Sequence, residues 1–232
     1  MDAKPLRAGG RGGRSSGVAG EVWLREPKPR RDALTRTRIT AAAVELLDEV
    51  GAAALTMRRL AERLEVAPPT LYWHVKTKDE VLDLALDEVF AEVTIPGRTE
   101  DWAADARTLV LRWRATMLAH PWSPALVGRP LLGPNVLART EFLQSTLVRA
   151  GLHGQALIAA THGLANLTIG SALTESTWRV QPQISQDMAH EHIRAHADAY
   201  PTLAANDHLA APDGDALFTQ AVDTLLSGYI SI

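Results

Sequence analysis

The sequence predicts an all-α fold in two parts, a small N-terminal three-helix unit and a larger helical domain behind it. Three observations carry this. Apolar residues recur at helical spacing through most of the chain, no segment sustains the alternation of a strand, and clusters of Pro and Gly separate the periodic segments. At 232 residues with 46% hydrophobic side chains, the chain has material for one small and one larger core.

Residues 1–30 stand apart. The run KPLRAGGRGGRSSGVAG, continuing through EPKPRR, is too rich in Gly and Arg to bury a core and is expected to be a flexible arm. It is either a solvated leader or a basic arm that tracks phosphates or enters a minor groove. Its one apolar knot is Val22-Trp23-Leu24.

The first helix is expected from Ile39 to Val50, with apolar residues at 39, 42, 43, 46, 47 and 50 and Gly51 as its C-cap. Leu55 to Lys78 then reads as two short helices joined by a three-residue turn. Thr56 caps the first, with Leu55 and Leu60 placed as a hydrophobic staple. Met57, Leu60, Ala61 and Leu64 make one buried face, leaving Arg58, Arg59, Glu62 and Arg63 outside. Glu65-Val66-Ala67 is the turn. Pro68 and Pro69 open the second helix, where a missing amide donor costs nothing. Leu71 and Val75 anchor it inward, which leaves Pro68, Pro69, Tyr72 and Trp73 outward. Thr77-Lys78-Asp79-Glu80 is a capping box that opens the next helix and sets Lys78 at a helix N-terminus suited to phosphate.

A bracing helix followed by a helix with an outward aromatic and basic face is the layout of a helix-turn-helix DNA reader. Any single residue here also fits an ordinary helical hairpin with a solvated basic face; the combination favours the reader. Charge placement agrees. The net charge is −3, but residues 1–80 hold 15 Lys and Arg against 11 Asp and Glu, while the rest hold 9 against 16.

RITAAAVELLDEVGAAALTMRRLAERLEV and PTLYWHVKTKDEVL, within about Arg36 to Val93, resemble the DNA-binding domain of the TetR (tetracycline repressor) family of bacterial transcription regulators. The resemblance implies that Met57 and Arg58 contact bases and that Pro68, Pro69 and Trp73 lie on the recognition helix. It implies that Thr70, Tyr72, His74 and Lys78 grip phosphates. Two positions depart from the pattern. Glu65 stands where Gly is common, implying either a left-handed backbone or a different turn. Pro68 replaces a polar base-reading side chain of the tetracycline repressors, so their operator does not transfer.

Thr94-Ile95-Pro96-Gly97 marks the junction between a DNA-binding domain at 31–93 and a second domain at 94–232. Further helices are expected from about Trp102 to Ala119, Asn135 to Ala150, Gln155 to Arg179, Ser185 to Ala199 and Asp215 to Tyr229. PWSPALVGRPLLGP separates the first two. This part resembles the C-terminal domain of the tetracycline-repressor branch, which implies dimerisation and a small-molecule effector. The helices Gln155–Arg179 and Asp215–Tyr229 would then pair with their symmetry mates as a four-helix bundle. Small residues in the former (Ala159, Ala160, Gly163, Gly170, Ser171) suit that approach or packing within one subunit. A two-fold dimer sets its recognition helices about 34–36 Å apart, on a palindromic site in double-stranded DNA.

Candidate effector liners are Trp113, Met117, Trp122, Phe142, His162, Asn166 and Trp178, an apolar wall with polar handles, though each also fits ordinary core. In the metal-dependent branch, a His shortly before an Arg-Pro pair helps to hold a metal. Gly128-Arg129-Pro130 matches that pair, but Ala125 stands at the His position and Thr174 at the nearby acidic one, with Glu175 following. No metal and no cofactor is therefore expected. His190, His192 and His196 lie in HEHIRAH, which fails the HExxH pattern at Arg194, and are expected to be solvated.

No nucleophile elbow, phosphate loop or dinucleotide fingerprint stands in context, and the chain has no cysteine, so an enzyme is not expected. Without a run of 18 apolar residues or an apolar core after Arg30-Arg31, neither a membrane span nor an export signal is expected, and lack of cysteine suits the cytoplasm. The expected function is a homodimeric, ligand-responsive repressor released from its operator by a small molecule. The competing reading is an enzyme or ligand-binding protein on a helical scaffold with a vestigial N-terminal domain.

Overall fold

The computed structural model describes residues 34–129, 131–180, 186–206 and 214–230; among these it has ten α-helices and no strand. The arm at 1–30, with Val22-Trp23-Leu24, lies outside the described residues, as does Pro130.

Helix α1 (Arg36–Ala54) starts where the Thr35 hydroxyl accepts from the Arg38 amide at 3.2 Å. It extends beyond the expected stop: Gly51 does break it, at φ 73°, but a further turn follows to Ala54. In α2 (Met57–Arg63), Thr56 accepts from the Arg59 amide at 3.1 Å, and the staple residues Leu55 and Leu60 are both buried. The second helix of the pair, α3 (Pro68–Tyr72), has Pro at its first two positions and no side-chain cap. Helix α4 (Lys78–Glu92) is capped by Thr77, which accepts from the Glu80 amide at 3.1 Å. The reciprocal half of the capping box is shifted by one residue, because the Glu80 carboxylate takes the Lys76 amide at 2.6 Å. α1 packs on α2 and α4, and α2 on α3, burying Ile39, Leu47, Leu60, Leu71, Val75 and Leu86.

The second part contains α5 (Trp102–Ala119), a 3₁₀ turn at Pro124–Leu126, α6 (Pro134–Arg149), α7 (Gly154–Val180), α8 (Gln186–Ala195), α9 (Pro201–Ala205) and α10 (Gly214–Ile230). The periodicity does not foresee α9: five residues begun by a proline are too short to display a helical repeat. α7 packs against α5, α6 and α10 around a core that includes Leu109, Val110, Phe142, Leu147, Leu164, Phe218 and Leu226. Residues Gly154–Trp178 are long and apolar enough to cross a membrane by length and composition. In this fold they form the central helix of the domain, with Ala160, Leu164, Thr168, Ala172 and Ser176 buried at every fourth position.

Asp105 and Arg114 of α5 are buried charged side chains. The Asp105 carboxylate, 2% exposed, accepts from the Thr99 amide and from Arg149 at 2.8 Å. Burial opposes its charge, but these donors outweigh that and hold it below the usual carboxylate range. The Arg114 guanidinium, 4% exposed, donates to Glu175 and Asp215 and, at 2.9 Å, to the Ser171 hydroxyl. It also lies 5.0 Å from the centre of the Phe218 ring, so one cation joins α5, α7 and α10.

The helix-turn-helix turn settles the alternative left open at Glu65, which takes φ 54° and is left-handed. That conformation costs a side chain with a Cβ about 1–2 kcal/mol, part of which Gly returns by its greater freedom when unfolded. Glu65→Gly should therefore raise stability by roughly 1 kcal/mol, or about 2–4 °C in Tm for a chain of this size. Thermal unfolding of the two proteins measures this, and a lower Tm for the variant would contradict the assignment of strain.

Candidate functional site

The helix-turn-helix presents a consistent outward surface. Leu71 and Val75 are fully buried, so the rest of α3 must face away from the core: Pro68, Pro69 and Thr70 are exposed, Tyr72 is 44% exposed and Trp73 82%. Met57 and His74 are half-buried at its margins. Arg58 extends from the first turn of α2 with its side chain 85% exposed, and its Nε donates to Glu62 at 2.9 Å. A pair that exposed adds little, so releasing Arg58 to another acceptor is cheap.

Lys78 opens α4, as expected, and its side chain already has a partner. Its ammonium donates at 2.8 Å to the Ala52 carbonyl near the end of α1, and the side chain is half-buried. Lys78 thus ties α4 to α1, with two of its three donor protons left over for another acceptor. Arg59 similarly donates to the Ala54 carbonyl at 2.9 Å.

Behind this surface, α4 is gripped by the segment that follows α5. Arg129 donates to Asp83 at 2.7 Å and to Asp79 at 3.1 Å. Asp87 accepts from the Asn135 and Val136 amides, both at 3.0 Å, and so caps α6 from another helix. The N-cap residue of α6 is Gly133, where a Cβ would stand 2.1 Å from the Asp87 carboxylate, so no larger residue fits. Arg139 closes the other end, donating to the Ala91 and Val93 carbonyls at 2.8 and 2.9 Å.

The seven expected effector liners do not converge. Met117 and Phe142 are buried, and Trp113 packs on the core and against Phe90 at 5.4 Å between ring centres. Trp122 is buried with its indole N–H donating to Asp48 of α1 at 2.7 Å, so it faces the DNA-binding helices. His162, Asn166 and Trp178 lie on the other side of α7 from the core. They are exposed, in the row Ile158, His162, Asn166, Gly170, Thr174, Trp178, two residues out of phase with the buried row through Leu164. The small residues of α7 divide likewise. Ala160 is buried, Gly163 meets the Tyr229 hydroxyl and Ser171 accepts from Arg114, whereas Ala159 and Gly170 are exposed.

Among the described residues, no group of three His, Cys, Asp or Glu is arranged to hold a metal ion. His192 and His196 are exposed with rings 4.4 Å apart, and His196 Nδ1 bonds the His192 carbonyl at 2.8 Å. Arg114 and Asp87 escaped the sequence reading, and Arg129 entered it only as part of the Arg-Pro pair, without its contacts to α4. A signal existed for Arg114, a charge set into the apolar row Ala106, Val110, Met117 of α5.

Comparison with known proteins agrees with this architecture in both parts. Residues 39–85 match the family described as "Bacterial regulatory proteins, tetR family", and residues 95–230 match "Tetracyclin repressor-like, C-terminal domain". An HTH-type transcriptional regulator of Saccharopolyspora erythraea is 43% identical over 219 residues, covering 92% of this chain and 93% of that protein. The HTH-type transcriptional repressor DrrR1 of Streptomyces coeruleorubidus is 32% identical over 211 residues, covering 82% of this chain and 74% of that one. Among solved structures, the Streptomyces coelicolor TetR family protein ActR in complex with actinorhodin superposes with a TM-score of 0.75 at 31% identity, covering 86% and 98% of the two chains. With both domain matches in sequence order and the helix-turn-helix exposed as a reader requires, the chain belongs to the TetR family of bacterial transcription regulators.

Proposed function

We propose that this protein is a homodimeric repressor that binds a palindromic operator in double-stranded DNA and releases it when a small molecule enters the C-terminal domain. The observation that carries this is Trp73. A tryptophan 82% exposed at the end of a proline-started helix, next to exposed Tyr72, is a surface awaiting a partner. Arg58 and Met57 would read base edges, with Pro68, Pro69 and Trp73 against the groove wall and Thr70, Tyr72 and His74 on phosphates. The domain division at about residue 94 separates reader from receiver. The regulator acts in the cytoplasm by binding, with no catalytic step.

Readout predicts two different losses. Arg58→Ala should cost roughly 1–3 kcal/mol and relax preference at one base position per half-site. Lys78→Ala should weaken every sequence alike and make the salt dependence shallower, with some loss of stability from the Ala52 contact. Binding to selected and scrambled duplexes across salt measures both. Equal loss on both duplexes in both variants would sink this division of labour.

Dimerisation is supported by the exposed row of α7 and a matching one on α10, where Leu217, Gln220, Thr224 and Gly228 are exposed. A Cβ at Gly170 meets nothing within 4 Å in one subunit. Gly170→Ala should thus keep the fold and gain about 1 kcal/mol in helix propensity. Gly170→Arg should keep the helix content yet yield a monomer with little operator affinity. A dimeric Gly170→Arg in sedimentation would remove this face from the dimer.

For the effector, Trp113, Met117 and Phe142 remain as liners. Buried Trp113 Nε1 has no hydrogen-bond partner among the described residues, a donor that an effector oxygen would satisfy. That ActR has been solved with actinorhodin supports a small-molecule effector. Ala125 and Thr174 offer no metal ligand, so affinity in a tryptophan-quenching screen should be unaffected by EDTA. Trp113→Phe, which keeps an aromatic ring and removes the donor, should weaken binding by about 1–3 kcal/mol. Metal-dependent binding would overturn the first expectation, and unchanged affinity in the variant the second.

A further inference from the structure

We propose that His120 is a proton-dependent tie between the end of α5 and the DNA-binding helices α1 and α4, and that operator affinity falls as its imidazole loses a proton. The inference rests on the DNA-binding reading above and adds a titratable group to it.

His120 is the C-cap of α5 and its backbone is held on both sides. Its amide donates to the Thr116 carbonyl at 3.1 Å, and its carbonyl accepts from the Ser123 amide at 2.8 Å. The ring therefore has a fixed origin. Its Nδ1 lies 2.8 Å from the Asp48 carboxylate on α1, and its Nε2 lies 3.1 Å from the Glu92 carboxylate, the last residue of α4. These two carboxylates are the charged groups set against the ring, one from each DNA-binding helix. The third neighbour, Trp122, lies edge-on with its ring centre 6.2 Å away and donates to the same Asp48 oxygen at 2.7 Å.

Donor counting makes the tie depend on protonation. An ionised carboxylate only accepts hydrogen bonds, and a neutral imidazole has a single N–H. Neutral His120 can satisfy Asp48 or Glu92; the nitrogen left over would face a carboxylate with a lone pair of its own. The imidazolium has two N–H groups and satisfies both. Burial works against that charge, since the residue is 9% exposed, but hydrogen bonds and attraction from Asp48 and Glu92 outweigh it and raise the pKa. The sign follows. With the folded value above the ordinary one of about 6.5, the tie is complete below that pH and is lost as pH rises through the raised value.

The consequence reaches the DNA because α1 and α4 carry the helix-turn-helix. α2 packs on α1, α3 on α2, and Lys78 holds the start of α4 to the end of α1. Releasing either carboxylate removes one of the ties that set the angle of this unit at the end of α5, and a pair of recognition helices must match half-sites at fixed spacing.

The test uses the full chain and a duplex that it selects from a random-sequence pool. Affinity is measured from about pH 6 to 9 at constant ionic strength, with the His120 ring proton followed by NMR. We expect a roughly tenfold fall in affinity whose midpoint matches the His120 titration and lies above about 6.5. His120→Gln should lack that fall over the same range. Glu92→Gln removes one carboxylate from a half-exposed position, and should move both midpoints down towards 6.5 even if His120→Gln does not fold. The same profile in wild type and His120→Gln, or a His120 titration at or below 6.5, overturns the tie. A pool that yields no preferred sequence overturns the DNA-binding reading instead, while the shift of the His120 resonance in Glu92→Gln still judges the tie.

Discussion

Helix α4 has two faces with different obligations, and the relation between the two domains depends on meeting both. Val81, Leu82, Ala85, Leu86, Val89 and Phe90 are buried, on a helix that packs against α1, α5 and α6. Asp79, Asp83 and Asp87, spaced one turn apart, carry the polar contacts to Arg129 and the start of α6. A fully buried Leu or Val contributes about 1.5–3 kcal/mol, so the apolar face supplies most of the adhesion. The carboxylates contribute less energy and more direction: each accepts from donors at fixed positions, which sets how α4 lies along the second domain. Gly133 is part of the same constraint, since the close approach of Asp87 leaves no room for a Cβ.

Helix α7 shows the same economy in the second domain. Its buried row holds the subunit core, and the opposite row is left to solvent in a single chain. Arg114 crosses this packing as a buried cation. Desolvating it is expensive, and replacing such a group with apolar residues often stabilises a protein. What Arg114 contributes is alignment, because its donors reach α7 and α10 at once.

The residues of the DNA-binding part were legible because their signals are local. Thr35 lay just ahead of the expected start, whereas Thr56, Thr77, Gly51 and Pro68 each mark a helix end through chemistry within three or four residues, and the structure has helix ends at or near all four. Glu65 stood out as a residue that needed either a left-handed backbone or a different turn, and its backbone is left-handed. The second domain yielded its helices on the same grounds, apart from α9. Of its candidate effector liners, His162, Asn166 and Trp178 are spaced by multiples of four from Ile158, opposite the row of Leu164, and are exposed in the single chain.

Other features had no local signal to find. Nothing near Trp122 in the chain announces Asp48, 74 residues earlier, and nothing near Gly133 announces Asp87. Sequence determined the helices, their caps, the helix-turn-helix and its outward side chains, since each of these follows from neighbours a few residues away. Tertiary structure decided which charges meet: Arg129 with α4, Arg114 with α7 and α10, and His120 with α1 and α4. Those partners lie far apart in the chain, and only the packing of the apolar faces brings them within hydrogen-bonding distance.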